Sequence, residues 1–169
     1  DTDEGRITAV DNVSFELKSG EVLGLVGESG SGKSVTAKSL MQLNPSNSIY
    51  GSNSKIKLEF GKNALNVLSL KKSSELEIVR GGAISMIFQE PMASFAPAIT
   101  IGSQMVEQLM IHTSKSKKEA TDLSIEMLAR VGINEPDKRF YQYAFELSGG
   151  MRQRVMIGIS LMCDPLFII

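Results

Sequence analysis

The sequence predicts an α/β fold with a parallel sheet core, an antiparallel β edge from the early strands, and a helical subdomain at about residues 90–147. Three observations predict it. The continuous apolar run Val22-Leu23-Gly24-Leu25-Val26 reads as a strand covered on both faces, as strands of a parallel sheet are. Shorter segments elsewhere alternate apolar with polar residues, the pattern of half-buried strands. Beyond residue 100 the apolar spacing changes to the helical period.

Taken in order, Val13, Phe15 and Leu17 alternate with Ser14 and Glu16, a strand in which Phe15 is a core residue. Ser19-Gly20 turns the chain into the apolar run. A Gly/Ser loop follows, then a helix from about Lys33 to Leu43, stopped by Asn44-Pro45. Residues 46–54 are polar and turn-rich. Ile56, Leu58 and Phe60 mark another strand, turned by Gly61-Lys62-Asn63. Residues 84–88 read as a strand entering Gln89-Glu90-Pro91. Helices are expected at 101–111 and 117–131. In the second, Ser116 and Glu119 have capping-box spacing, Leu123, Met127, Leu128 and Val131 share a face, and Gly132 suits the stop. A last helix runs from Ser148 to about Met162, and Asp164-Pro165 leads into the strand Leu166-Phe167-Ile168-Ile169.

The 169 residues suffice for one domain with a substantial core. A formal charge of −1 gives no broad electrostatic footprint for nucleic acid, which is not expected as a partner. The single cysteine, Cys163, excludes an internal disulfide framework and a Cys-only zinc site, and reads as a buried structural thiol. No run approaches the roughly 18 apolar residues of a membrane-spanning helix. The polar start Asp1-Thr2-Asp3-Glu4 carries no signal-peptide pattern. The chain is thus cytosolic in character, and a membrane role would come through a partner. A start without Met and an apolar finish read as a fragment, with segments expected before residue 1 and after residue 169.

The sharpest chemical signal is Gly27-Glu28-Ser29-Gly30-Ser31-Gly32-Lys33-Ser34. It matches the phosphate-binding P-loop in full, between a buried-type strand and a helix. Glycines let successive N–H groups face phosphate oxygens, and the helix start adds its partial positive charge. Lys33 can reach the β- and γ-phosphates, and the Ser34 hydroxyl can ligate Mg²⁺. A plain Ser/Gly turn would leave the Lys-Ser pair at the helix start unexplained.

Many nucleotide hydrolases share this loop, and Leu147-Ser148-Gly149-Gly150-Met151-Arg152-Gln153-Arg154 narrows the choice. Ser148 is an N-cap candidate, and the two glycines expose further N–H groups. A second anion site so far along the chain suits a head-to-tail pair of chains better than one nucleotide on one chain.

This octapeptide resembles the signature motif of the ABC ATPases, and Met86-Ile87-Phe88-Gln89-Glu90-Pro91 resembles their Q-loop. Motif order and spacing also match, and the resemblance covers nearly the whole chain. The stretch from Met92 to Val106, the Glu-Ser-Gly-Ser form of the P-loop and residues 151–156 are similar to oligopeptide and dipeptide importer ATPases, with nickel importers close by. Phe95-Ala96-Pro97 stands where that family usually has Leu-Asn-Pro, and Ala144-Phe145 where it often has Pro-His.

The resemblance implies an ABC-type P-loop NTPase that binds ATP and Mg²⁺ and hydrolyses ATP to drive a permease at the cytoplasmic face of the membrane. It implies a pair of such domains, identical or paralogous, with each ATP held between one chain's loop (Gly27, Glu28, Ser29, Gly30, Ser31, Gly32, Lys33 and Ser34) and the other's Ser148, Gly149 and Gly150. Gln89 would order Mg²⁺ and the attacking water and sense the permease. The family's adenine-stacking aromatic would precede residue 1, and its second metal ligand, general base and switch His would follow residue 169. The chain alone is therefore expected to bind ATP but turn it over poorly. A soluble ABC ATPase of DNA repair or translation is the alternative, disfavoured by the near-neutral charge and the importer-like stretch after Gln89.

Other residues carry weaker signals. His112, at a predicted helix end, reads as solvated or capping. Lys115, Lys117 and Lys118 read as a solvated cluster, with contact to a permease or to lipid headgroups as the alternative. Met151, Met156 and Met162 read as core filling, and Arg152 and Arg154 suit either carboxylates or a partner's nucleotide.

Overall fold

In the computed structural model, which describes residues 5–169, the chain forms two compact units, one ending at Lys71 and one spanning Lys72–Ile169. The acidic residues Asp1-Thr2-Asp3-Glu4 lie outside the described residues.

In the first unit the Ser19-Gly20 turn closes with Glu21 N donating to Lys18 O at 3.0 Å and Gly20 at φ 81°. Helix α1 (Lys33–Ser39) is shorter than the spacing predicts. Gln42 takes a left-handed φ of 50°, Gln42 N donates to Ser39 O at 3.1 Å, and Leu43 N reaches Lys38 O at 2.9 Å. That Schellman-type closure ends the helix before Asn44-Pro45 can. The Gln42 side chain also donates to Val67 O and, at 3.2 Å, to Leu70 O, tying the helix end to the turn Val67–Ser69. Met41, Val67 and Leu70 are buried there. Strands β1 (Lys57–Phe60) and β2 (Asn63–Asn66) form an antiparallel hairpin, of which the spacing predicts β1 and the turn but not β2. Phe60 pairs with Asn63 across a two-residue loop, and Gly61 at φ 59° fills its left-handed first position.

Two expectations for this unit do not hold. Residues 13–17 and 22–26 belong to no strand ladder among the described residues. Val22 is 98% and Val26 93% exposed, and Phe15, expected in the core, is 44% exposed. A parallel strand makes no ladder bonds by itself. Its neighbours come from distant parts of the chain, and pattern alone does not bring them.

The second unit begins with α2 (Ser73–Val79) and β3 (Ile84–Ser85). It continues through α3 (Ile101–His112), α4 (Lys117–Arg130), α5 (Pro136–Phe140) and α6 (Gly149–Leu161) to β4 (Phe167–Ile168). Strands β3 and β4 pair in parallel, Ile84 opposite Phe167 and Ser85 opposite Ile168. The hydrogen bonding runs past both, with Ile169 N to Ser85 O at 2.9 Å and Ile87 N to Ile169 O at 2.8 Å. All four helices α3–α6 thus lie between two paired parallel strands.

The helical core gathers Ile101, Met105, Leu109, Leu128, Phe140 and Val155, all buried. Close packing demands glycine at one crossing and favours it at another. A Cβ on Gly102 would lie 2.4 Å from the Phe140 ring, and one on Gly158 would meet Met127 at 3.3 Å and Val131 at 3.4 Å. The capping box forms as its spacing predicts: Glu119 N donates to Ser116 Oγ at 3.3 Å, and Ser116 N to Glu119 Oε2 at 2.8 Å. Gly132, at φ 76°, ends α4. Leu128 is buried, and Leu123, Met127 and Val131 pack on the same core. Met156 is buried while Met151 and Met162 pack at its edge. Cys163 is half-buried rather than buried, its thiol donating to Gln108 O at 3.8 Å, and burial raises its pKa.

Candidate nucleotide site

Within the first unit the loop 27–34 wraps around its own lysine. Lys33 Nζ donates to Gly27 O at 2.7 Å, Glu28 O at 2.6 Å and Ser31 Oγ at 3.3 Å. Ser31 N closes the turn on Glu28 O at 3.2 Å. The ammonium is therefore centred on the loop, its three donors met by loop oxygens. Gly32 is fixed twice over. Its φ is 89°, and a Cβ there would lie 2.5 Å from Ala9 O. At Gly27 a Cβ would meet Ser31 Oγ at 2.5 Å. Helix α1 starts directly after Gly32, with Thr36 N donating to Gly32 O at 2.8 Å, and the Ser34 side chain in its first turn is exposed.

A cavity of about 320 Å³ opens beside this loop. Gly27, Ser31, Lys33 and Thr36 form one wall, and Ala9, Val10, Val13, Leu25 and Val26 give it an apolar side, with Asp11 at the lining. The spacing-based reading did not single out Ala9 or Val10. The Gly32–Ala9 contact that sets them against the loop is between residues far apart in sequence and leaves no local signature.

The other candidate residues lie in the second unit. Ser148 caps α6, accepting from Met151 N at 3.3 Å. Gly149 and Gly150 are exposed, and a Cβ added at either meets nothing within 4 Å. Neither carries a positive φ. This chain's own packing therefore gives no reason for glycine there. Gln89 is exposed, two residues beyond the last ladder bond at Ile87. The 3-10 turn Pro91–Ser94 after it docks on α6, where Ser94 Oγ donates to Met156 Sδ at 3.5 Å and Arg152 reaches Met92 Sδ. Arg154 is exposed. His112 is partly buried at the end of α3, and burial lowers its pKa against the raising effect of Glu77. Lys115, Lys117 and Lys118 are exposed.

Among the described residues no three His, Cys, Asp or Glu side chains gather to hold a metal ion. No helix there is long and apolar enough to cross a membrane.

A glycine-rich loop closed around its own lysine at a helix start has the arrangement of a P-loop. The ABC transporter family model matches residues 10–169, and the chain belongs to that family. It is 45% identical over 168 residues to the oligopeptide transport ATP-binding protein OppD of Salmonella typhimurium, covering 99% of this chain and 48% of that protein. It is also 45% identical over 161 residues to the dipeptide transport ATP-binding protein DppD of Bacillus subtilis, covering 95% and 47%. The chain thus spans about half the length of the curated relatives it matches. Among solved structures it is similar to the dimeric post-hydrolysis state of the ATP-binding cassette MJ0796 bound to ADP and Pi. The TM-score is 0.72 at 26% identity, over 95% of this chain and 64% of that one.

Proposed function

We propose that this chain is the nucleotide-binding part of an ATPase subunit that powers import of peptides, or related small solutes, through a membrane permease. The observation that carries the ATP reading is the Lys33 ammonium held at the centre of the loop 27–34. Exchanging the long Ser31 bond for a phosphate oxygen would deliver Lys33 to the β- and γ-phosphates without dismantling the loop. Loop N–H groups would hold the remaining phosphate oxygens, and the apolar wall of Ala9, Val10 and Val13 offers a surface for the base. Peptide import is supported by the relatives, whose names specify oligopeptide and dipeptide transport.

The Ser34 hydroxyl and the Gln89 amide oxygen, each exposed in its own unit, are hard oxygen donors of the kind that Mg²⁺ prefers, and phosphates would supply the rest. Mg²⁺ would neutralise charge building on the phosphate oxygens during in-line attack by water. Lys33 and the loop N–H groups would stabilise the same charge, and Gln89 would orient the water.

Gly149 and Gly150 support a head-to-tail pair. Space beside them is open and their backbone is not left-handed, so the requirement for glycine would come from outside the chain. Close approach of a nucleotide held by a second ATPase subunit, identical or paralogous, would impose it. The P-loop and these glycines fall in different compact units, and the part between residues 90 and 147 would act as the helical subdomain facing the permease. The subunit would then be peripheral, at the cytoplasmic face. The test is peptide uptake into vesicles carrying the permease, the full-length subunit and internal Mg-ATP. Uptake lost in Lys33→Ala supports the proposal, and turnover indifferent to permease and peptide contradicts it.

A further inference from the structure

The side chain of Gln104, in the first turns of α3, grips a single backbone unit from both sides. Its Oε1 accepts from Ala96 N at 3.0 Å, and its Nε2 donates to Ala96 O at 3.2 Å and Ile99 O at 2.9 Å. One amide thus stands in for a neighbouring strand, meeting the donor and acceptor of Ala96 together. The three contacts also fix which end of the amide is oxygen, since only N–H groups can face two carbonyls. Just before Ala96, Phe95 is buried in the helical core and Ser94 is bonded to Met156 of α6. On the far side, Ile87 is held by the parallel ladder at Ile169 O. Gln89 therefore lies on a short exposed span between two anchored ends, the sheet at Ile87 and the helical part at 92–96.

We propose that Gln104 is a positioning residue for Gln89. By clamping Ala96 to α3 it fixes the end of the strap 92–96 that Ser94 docks on α6, so that Gln89 moves with the helical part that carries the Ser148-capped helix. No charge balances a loss here. Removing the amide leaves Ala96 N–H and two carbonyls without their side-chain partner, and the strap gains freedom relative to α3, with only the Ser94–Met156 bond left beside it. The inference rests on the ATPase reading for its functional half, while the clamp itself is a statement about this unit alone.

The test compares wild type, Gln104→Met, Gln104→Glu and Lys33→Ala in the full-length protein. Amide hydrogen exchange reads the clamp directly: Ala96 N–H is expected to be protected in wild type and to exchange at least about ten-fold faster in Gln104→Met, the equivalent of one net hydrogen bond. Mg-ATP affinity should stay within about two-fold of wild type while turnover falls roughly ten-fold. Gln104→Glu should be the worse variant at neutral pH, because its carboxylate faces Ala96 O and Ile99 O, and should recover towards Gln104→Met as acid protonates it. Unchanged Ala96 exchange overturns the clamp, whatever the enzyme does. Faster exchange with unchanged turnover overturns the positioning role. Failure of wild type to bind Mg-ATP, with binding no weaker in Lys33→Ala, overturns the ATPase reading and with it the functional half, leaving the exchange result to decide the clamp.

Discussion

Lys33 and Gly27 are joined by a hydrogen bond of 2.7 Å from the ammonium to the backbone carbonyl, six residues back along the chain. With the bond to Glu28 O, it makes the lysine a structural pin of the loop as well as a candidate phosphate ligand. The two roles have different consequences when the side chain is lost.

Lys33→Ala is expected to weaken Mg-ATP binding by at least roughly a hundred-fold, from loss of charge-assisted hydrogen bonds worth about 3 kcal/mol. Calorimetric titration of wild type and variant checks this. Retained affinity would remove the loop 27–34 as the nucleotide site.

Gly32 and Gly150 should respond to alanine in opposite ways. Gly32→Ala places a Cβ 2.5 Å from Ala9 O at a φ of 89°, so it should lower stability by about 1–3 kcal/mol and impair nucleotide binding. Gly150→Ala meets no atom within 4 Å and sits in a helix, so stability should rise by about 0.5–1 kcal/mol. Its ATP turnover should nevertheless drop if a second subunit's nucleotide approaches there. Denaturant melts paired with turnover assays separate the effects, and full turnover in Gly150→Ala would count against the shared site.

Gly102→Ala tests the helical core. The added methyl would lie 2.4 Å from the Phe140 ring, and overpacking of this kind costs about 1–3 kcal/mol. A thermal melt unchanged from wild type would mean that α3 and α5 yield more readily than their packing implies.

The capping box of α4 gives a pH signature. Hydrogen bonds from the Ser116 hydroxyl and backbone lower the Glu119 pKa from its ordinary 4.5, with nearby Lys115 adding a smaller pull. A depressed folded-state pKa contributes stability that is present above the unfolded value and lost as pH falls through the folded one. The helical part should therefore lose a small increment of stability on acidification below about pH 4.5, and Ser116→Ala should reduce that step. Helix-monitored denaturation across this range is the measurement, and identical profiles would exclude the box as its source.

Cys163 should alkylate slowly near neutral pH. Burial holds its thiol pKa above the usual 9.0, outweighing the contact with Gln108, so the reactive thiolate forms only at higher pH. The pH dependence of iodoacetamide labelling checks this, and fast labelling at neutral pH would show the thiol to be more exposed than its half-buried position implies.

Much of the candidate site was legible because its signals are local. The spacing of glycines, lysine and serine in 27–34 specifies a loop closed by bonds between residues at most six apart. The Ser148 cap, the Ser116–Glu119 box and the Gly132 stop are likewise set by neighbours within one or two helical turns. The Gly61 hairpin falls in the same class.

What only the tertiary structure decided are relations between distant residues, whose cost is chain entropy and whose reward depends on what meets them. Pattern placed Phe15 in a core and residues 22–26 in a ladder, yet Phe15 and Val22 are exposed and no described strand pairs with that run. The left-handed Gln42 shortened α1, held by carbonyls at Val67 and Leu70 that no spacing rule connects to it. The Ala9 carbonyl against Gly32 and the Gln104 grip on Ala96 arose the same way. The sequence by itself determined where this protein caps its helices, turns and closes a glycine-rich loop around Lys33, because those are short-range hydrogen-bond geometries. The tertiary structure decided which apolar faces are covered and which segments are tied together, because burial and clamping exist only once a partner surface has been brought into place.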